Sequence, residues 1–114
     1  MTTPEPEQSK AKVRYEGAAL TFGGYDAADF IVRQPHQPAL ECNLGLAQDA
    51  RAIFEKHVGT LDTEGAQALL QALAARLYQR RLENGQEIPA IWIVRARDIE
   101  QDEVATLLVE AGLG

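Results

Sequence analysis

The side chains best suited to binding are the arginines in residues 76–97. Arg76 and Arg80 are four residues apart, which makes them neighbours on one face of a helix. Arg95 and Arg97 are two residues apart, which places them on one face of a strand. A guanidinium group can make two parallel hydrogen bonds to a carboxylate or a phosphate. The sequence therefore predicts a binding site built from these side chains: Arg76, Arg80, Arg81, Arg95 and Arg97.

An alternative keeps the same arginines inside the fold. The segment after them carries acidic residues with no basic residue between them, namely Asp98, Glu100, Asp102 and Glu103. Ion pairs with these carboxylates would give the arginines a structural role, and their contribution to surface binding would then be small.

We assign no catalytic residue, because no sequence signature of a nucleophile, a metal site or a cofactor site is present. Cys42 and His57 could pair as thiolate and imidazole only if the fold brought them together. Cys42 alternates in phase with Leu40 and Leu44, so we expect a buried, unreactive thiol. His36 lies among prolines and is expected in an exposed loop. The histidines do not have the spacing of metal ligands, so neither a metal nor a cofactor is expected.

The first half of the chain has the alternation of an antiparallel sheet. Four short strands are predicted around residues 13–15, 20–22, 30–32 and 40–44. The period changes after Gly45, where residues 46–57 predict a helix that Gly59 can close. A longer helix follows, capped by Thr60 or Asp62.

The second half predicts one more strand and one more helix. Four consecutive residues, Ile91, Trp92, Ile93 and Val94, are β-branched or aromatic, as is typical of a central strand buried on both faces. An aspartate at Ile93 is therefore expected to be severely destabilising. Residues 104–111 have a helical apolar face, and Gly112 with Leu113 predicts a Schellman end.

The elements in order, ββββααβα, predict an α+β fold with two layers, a mainly antiparallel sheet and about three helices. Residues 1–11 are rich in Pro and Glu, so we expect a disordered N-terminal tail there. Residues 12–114 are expected to form a single α+β domain.

Charge and composition narrow the class of protein. Acidic residues outnumber Lys and Arg by 17 to 11, which gives a net charge of −6 and repels polyanions. Cys42 is the single cysteine, so no disulfide can form within the chain. No secretory signal is visible, and no apolar stretch approaches the ~20 residues of a membrane span. We expect a soluble, cytoplasmic protein that does not bind membranes, and the charge disfavours nucleic acid as its partner.

These features favour a noncatalytic protein-interaction domain, such as an adaptor, an accessory protein or a regulatory subunit, with a protein partner. A first alternative is a small-ligand-binding protein or an enzyme whose site is assembled from scattered residues: Tyr25, Cys42, His57 and Arg95. A second alternative is a nucleic-acid-binding protein that uses the basic residues of 76–97. A cleft where Tyr25, His57 or Cys42 converge would favour the first alternative, and an exposed apolar or charged patch would favour a protein partner.

Overall fold

The computed structural model describes residues 12–19 and 25–114. These residues contain the strands β1 (Lys12–Ala19), β2 (Asp26–Arg33), β3 (Leu40–Leu46) and β4 (Ile91–Val94), and the helices α1 (Gln48–Val58), α2 (Thr63–Glu83) and α3 (Val104–Glu110). Two short 3₁₀ helices, Ala96–Asp98 and Gln101–Glu103, connect β4 to α3. The predicted tail at residues 1–11 and the predicted strand at residues 20–22 lie outside the described residues.

The four strands form one mixed sheet in the order β1-β2-β3-β4. β1, β2 and β3 pair antiparallel, whereas β4 pairs parallel to β3. A parallel neighbour requires a long crossover connection, and α1 and α2 supply it. The predicted α+β class, the mainly antiparallel sheet and the helices are therefore confirmed. The predicted elements that fall within the described residues occur in the predicted order.

The helices pack on one face of the sheet and form the core with it. Alternate residues of β2 and β3 point toward this face, and Phe30, Val32 and Leu44 are at most 2% exposed there. α2 packs across β1, β2 and β3. α1 and α3 add Phe54 and Leu107 to the same buried cluster. The result is the predicted arrangement of two layers.

β4 is an edge strand, which corrects the prediction of a central strand buried on both faces. Val94 is fully buried and Trp92 is half-buried, but Ile91 is 71% exposed and Ile93 is 37% exposed. Burial alternates along a strand that has one covered face, and an unbroken apolar run conceals that alternation in the sequence. An aspartate at Ile93 would remain in contact with water, so the severe effect expected there belongs to Val94 instead.

Three predicted helix ends are confirmed: the start of α2 and the ends of α1 and α3. The Asp62 side chain caps α2 by accepting a backbone hydrogen bond at 2.7 Å. Gly59, with a φ of 83°, ends α1. After α3, Gly112 has a φ of 77° and the Leu113 N–H donates to the Leu108 carbonyl at 2.8 Å, as in a Schellman motif.

Candidate functional site

Arg76 and Arg80 point from α2 toward carboxylates of α3 and the 3₁₀ helix before it. Nη2 of Arg76 lies 2.8 Å from Oε2 of Glu110, and its Nη1 lies 3.7 Å from Oε1 of Glu103. Arg80 donates to the same Glu103 carboxylate, whose side chain is 15% exposed. These ion pairs correspond to the intramolecular alternative raised from the sequence, with Glu110 as an additional acceptor. They hold α3 against α2.

Arg81, one position further along α2, covers the ring of Trp92. Its guanidinium carbon lies 4.9 Å from the ring centroid, within the range of a cation–π contact. Its Nε donates to the backbone carbonyl of Glu87 at 3.0 Å. Arg81 therefore stabilises the approach of the chain to β4 and the helix-facing side of that strand.

Arg95 and Arg97 do not share a face of a strand, because β4 ends at Val94 and Arg97 belongs to a 3₁₀ helix. The Asp98 carboxylate accepts the Arg95 backbone N–H at 2.9 Å and so stops the strand. Both arginine side chains are exposed, and neither forms an ion pair with another residue of the described chain. The structure thus separates two paired arginines on α2 from two unpaired ones that follow β4.

The candidate reactive side chains lie in different surroundings. Cys42 is 3% exposed in the core, as predicted, and burial raises the pKa of its thiol. His57 is exposed, with Nδ1 lying 3.2 Å from the carbonyl oxygen of Ile53 in its own helix. His36 is exposed in the β2–β3 loop, as expected. Within residues 12–19 and 25–114, no three His, Cys, Asp or Glu side chains are placed to hold a metal ion.

Tyr78 is the one buried side chain of the described residues whose polar atom has no hydrogen-bond partner. The phenol is fully buried in α2, and its ring packs edge-on against Phe30 and Trp92. Burial, and secondarily the neighbouring Cys42, raise the pKa of Tyr78 above its ordinary value. The raised pKa values keep the phenol of Tyr78 and the thiol of Cys42 neutral. This pair therefore lacks the ionised form that nucleophilic or base chemistry needs.

Sequence reasoning missed two polar connections of the fold. Arg51 joins the Asp26 carboxylate, the Leu61 carbonyl and Glu55, whose Oε2 lies 3.1 Å from its Nε. Gln67 accepts from the Tyr15 hydroxyl and donates to a β2 carbonyl, at 2.8 Å in both cases. Except for Glu55, the residues that Arg51 and Gln67 contact are distant from them in the sequence, and no local sequence pattern predicts these contacts. The Arg51 to Glu55 spacing of four residues was the one visible signal.

The outer edge of β4 has exposed backbone groups. The carbonyls of Ala90 and Val94 accept from Asn43 and Ala47 at 2.7 and 3.0 Å, so these positions of the strand face β3. Backbone groups alternate in direction along a strand, and those of Ile91 and Ile93 therefore point away from β3. No described strand pairs with them. We call the set Ile91, Ile93, Arg95 and Arg97 the β4 edge surface.

Two shallow grooves adjoin this region. One, of about 480 Å³, borders Asp29, Asn43 and Ile91, and Nδ2 of Asn43 donates to Oδ1 of Asp29 across it at 3.2 Å. The other, of about 620 Å³, is lined by amide and apolar side chains together with Arg81 and Glu87. Tyr25, Cys42 and His57 do not converge in either groove.

No protein-family model, curated protein or solved structure matches this chain significantly. Among the described residues, no helix is both long enough and apolar enough to cross a bilayer.

Proposed function

We propose that the chain is a noncatalytic protein-interaction domain, as an adaptor, an accessory protein or a regulatory subunit, and that it binds another polypeptide through the β4 edge surface. The observation that carries this proposal is Ile91, which is 71% exposed on an edge strand with outward backbone groups. An exposed apolar edge strand is a template for an extended segment of another chain. Backbone hydrogen bonds supply affinity in this mode of binding, and alternate side chains supply specificity.

The reactive side chains support binding over catalysis. A catalytic cysteine requires access and a lowered pKa, whereas Cys42 is buried and burial raises the pKa of its thiol. His57 is exposed and its ring contacts the backbone of its own helix. These surroundings favour a core role for Cys42 and a surface role for His57.

The charge at the end of β4 supports a partner that carries carboxylates. Arg95 and Arg97 are exposed and unpaired among the described residues, whereas Arg76 and Arg80 are engaged by Glu103 and Glu110. We therefore restrict the charged part of the binding site to Arg95 and Arg97. The net charge of −6 opposes long-range attraction to a nucleic acid, so the partner we propose is a protein.

The test compares three tagged proteins as bait in a lysate of the native cell, chemically cross-linked before capture so that weak complexes are retained: the wild type, Ile91→Asp and Val109→Asp. Val109 is the matched control, because it is an exposed apolar residue of α3, at 65% exposure. We expect Ile91→Asp to lose at least about tenfold of the captured polypeptide, and Val109→Asp to retain it. Equal capture by Ile91→Asp and the wild type would refute binding through this surface.

A second arm of the experiment addresses the arginines and nucleic acid. Arg95→Gln combined with Arg97→Gln should weaken capture, and the loss should shrink as the salt concentration rises. Nuclease treatment of the lysate should leave capture unchanged. Loss of capture after nuclease treatment would instead support the nucleic-acid alternative.

A further inference from the structure

We infer that the occupant of the β4 edge surface is a second copy of this chain, whose own β4 pairs with it antiparallel across a twofold axis. This inference rests on the proposed function, because it uses the same surface, and it goes further by naming the partner. The two four-stranded sheets would join into one continuous sheet. A twofold interface uses the same patch on both subunits, so the patch has to complement itself.

The backbone at the edge has a limited set of free donors. Ile91 and Ile93 direct their N–H groups away from β3, as the pairing of Ala90 and Val94 requires. On one side of them Pro89 has no N–H group. On the other side the N–H of Arg95 is already bonded to the Asp98 carboxylate at 2.9 Å. An added strand can therefore take hydrogen bonds from Ile91 and Ile93 and from no other residue of this edge.

The outward N–H groups of one copy meet the outward carbonyls of the other when the second β4 runs antiparallel with Ile91 opposite Ile93. Residues of a hydrogen-bonded antiparallel pair exchange both of their N–H···O bonds. The twofold axis generates two such pairs, each between Ile91 of one copy and Ile93 of the other. Together these pairs use the outward N–H group and the outward carbonyl of both isoleucines in both copies. Shifting the register by two residues would set Pro89 or Arg95 opposite an isoleucine and leave some of these carbonyls unpaired.

The side chains complement themselves in the same register. Residues opposite each other in a pair project from the same face of the sheet. Ile91 of each copy therefore lies beside Ile93 of the other, which covers side chains that are 71% and 37% exposed in the single chain. Both isoleucines are on the face opposite Trp92 and Val94, so this contact forms on the side of the sheet that the helices do not cover.

The charges at the two ends of β4 select the antiparallel direction. Glu87 is exposed before the strand, and Arg95 and Arg97 are exposed after it. Arg81 binds the backbone carbonyl of Glu87, so the carboxylate of Glu87 is available to another chain. An antiparallel pair brings the acidic end of one strand to the basic end of the other. A parallel pair would bring like charges together.

A short strand makes a small interface, and interfaces of low area are typical of weak and transient association. We therefore expect dissociation constants of roughly 10 μM to 1 mM. The charge of −6 on each copy opposes association at long range, so measurements belong at ~0.15 M salt, where the Debye length is about 8 Å.

The first test is sedimentation equilibrium of the purified wild-type chain across that concentration range. We expect the weight-average mass to rise from 12.5 kDa toward twice this value. Ile91→Asp and Ile91→Pro should remain monomeric, and Val109→Asp should behave as the wild type. Proline at Ile91 removes only an outward donor, which edge strands tolerate. Circular dichroism and the fluorescence of Trp92 establish that each variant is folded.

Two further readouts report on the pairing itself. Hydrogen exchange at the amides of Ile91 and Ile93 should slow by several-fold as concentration rises, while the amide of Gln86, which donates to the Arg81 carbonyl within its own chain, should not respond. Glu87→Arg and Arg97→Glu should each weaken association by about three- to tenfold, and the double variant should restore it. Rescue by the double variant requires that opposite ends of the two strands meet.

A wild-type chain that stays at 12.5 kDa throughout the range would overturn the second-copy inference. So would a dimer that Ile91→Asp leaves intact, because its interface would lie elsewhere. The proposed function fails by a different result, namely capture from the lysate that Ile91→Asp does not change. A monomeric wild type with Ile91-dependent capture would leave the proposed function standing with a partner other than a second copy.

Discussion

β3 and β4 are adjacent in the sheet and both are rich in apolar residues, yet Leu44 of β3 and Ile91 of β4 differ in exposure because they lie on opposite faces of the sheet. β3 has hydrogen-bonded neighbours on both sides, and its Leu44 is fully buried. β4 has one described neighbour, and its Ile91 is 71% exposed. The face of the sheet on which a side chain lies, rather than composition, therefore determines which residues hold the core together. The comparison also separates stability from binding, because substitutions at Ile91 can alter a surface while leaving the core intact.

The largest expected effect tests that separation directly. Leu44→Ala should lower the free energy of unfolding by about 2–5 kcal/mol, because it leaves a cavity in the core. Ile91→Ala should change it by no more than about 0.5 kcal/mol in dilute protein, because the removed atoms are in water. Urea unfolding followed by circular dichroism measures both values. Similar losses for the two variants would show that β4 is covered in solution as β3 is.

Sequence periodicity predicted the elements themselves and several of their ends. The apolar residues along α2 recur every three or four positions, and Asp62 caps the N–H of Gly65 three residues away, so both features can be recognised from neighbouring residues in the sequence. The order of strands in a sheet is not local. Ile91 and Ile93 have the same β-branched side chain as a core residue, and they are exposed because they lie on the uncovered face of an edge strand.

The candidate site was predictable in part, for the same reason. The arginines of residues 76–97 were recognised by type and spacing, but their partners depend on how α3 returns to α2. Glu103 and Glu110 meet Arg76 because of that tertiary packing. Arg51 was missed because Asp26 and Leu61 reach it from other elements. Whether a charged side chain binds another chain or its own fold is therefore decided by tertiary structure.

The second prediction concerns the polar network around Arg51, which stabilises the start of β2 through Asp26. Arg51→Met would leave the carboxylates of Asp26 and Glu55 and the carbonyl of Leu61 without their shared donor. We expect a loss of about 1.5–3 kcal/mol in the free energy of unfolding at neutral pH. Arg14→Met is the control, because the Arg14 side chain is 65% exposed and its ion pair should contribute within about 0.5 kcal/mol.

Acid titration adds a second readout of the same network. The Leu61 N–H, at 2.8 Å, and then Arg51 lower the pKa of Glu55. Its pKa in the folded protein is thus below the unfolded value of about 4.3, and its contribution to stability is lost as pH falls through the folded value. Glu55→Gln should be less stable than the wild type at pH 7, and the difference should narrow as the pH is lowered below 4. A difference that is independent of pH would contradict the assigned cause.

The third prediction concerns Tyr78, which lies beside both strands, next to Cys42 of β3 and Trp92 of β4. Its hydroxyl is buried without a partner, so Tyr78→Phe should leave stability unchanged or raise it by up to about 1 kcal/mol. Tyr15→Phe is the matched control, because the Tyr15 hydroxyl donates to Gln67 at 2.8 Å. That control should lose about 0.5–1.5 kcal/mol. Thermal unfolding at pH 7 ranks the two variants, and a larger loss for Tyr78→Phe would indicate a hydrogen-bond partner for its hydroxyl.

The fourth prediction concerns the helix-facing side of β4, where Arg81 covers Trp92. Arg81→Met removes a cation–π contact at a partly exposed site together with the Nε hydrogen bond to the Glu87 carbonyl, so it should cost about 0.5–1 kcal/mol. Trp92 is the single tryptophan, so its emission reports on β4 alone, and loss of the cover should shift that emission to longer wavelength. Arg76→Met provides the control, because it breaks ion pairs with α3 and should lower stability without moving the emission. If Arg76→Met shifted the emission as far as Arg81→Met does, the change would reflect loosening of the whole helix layer and not the local cover of β4.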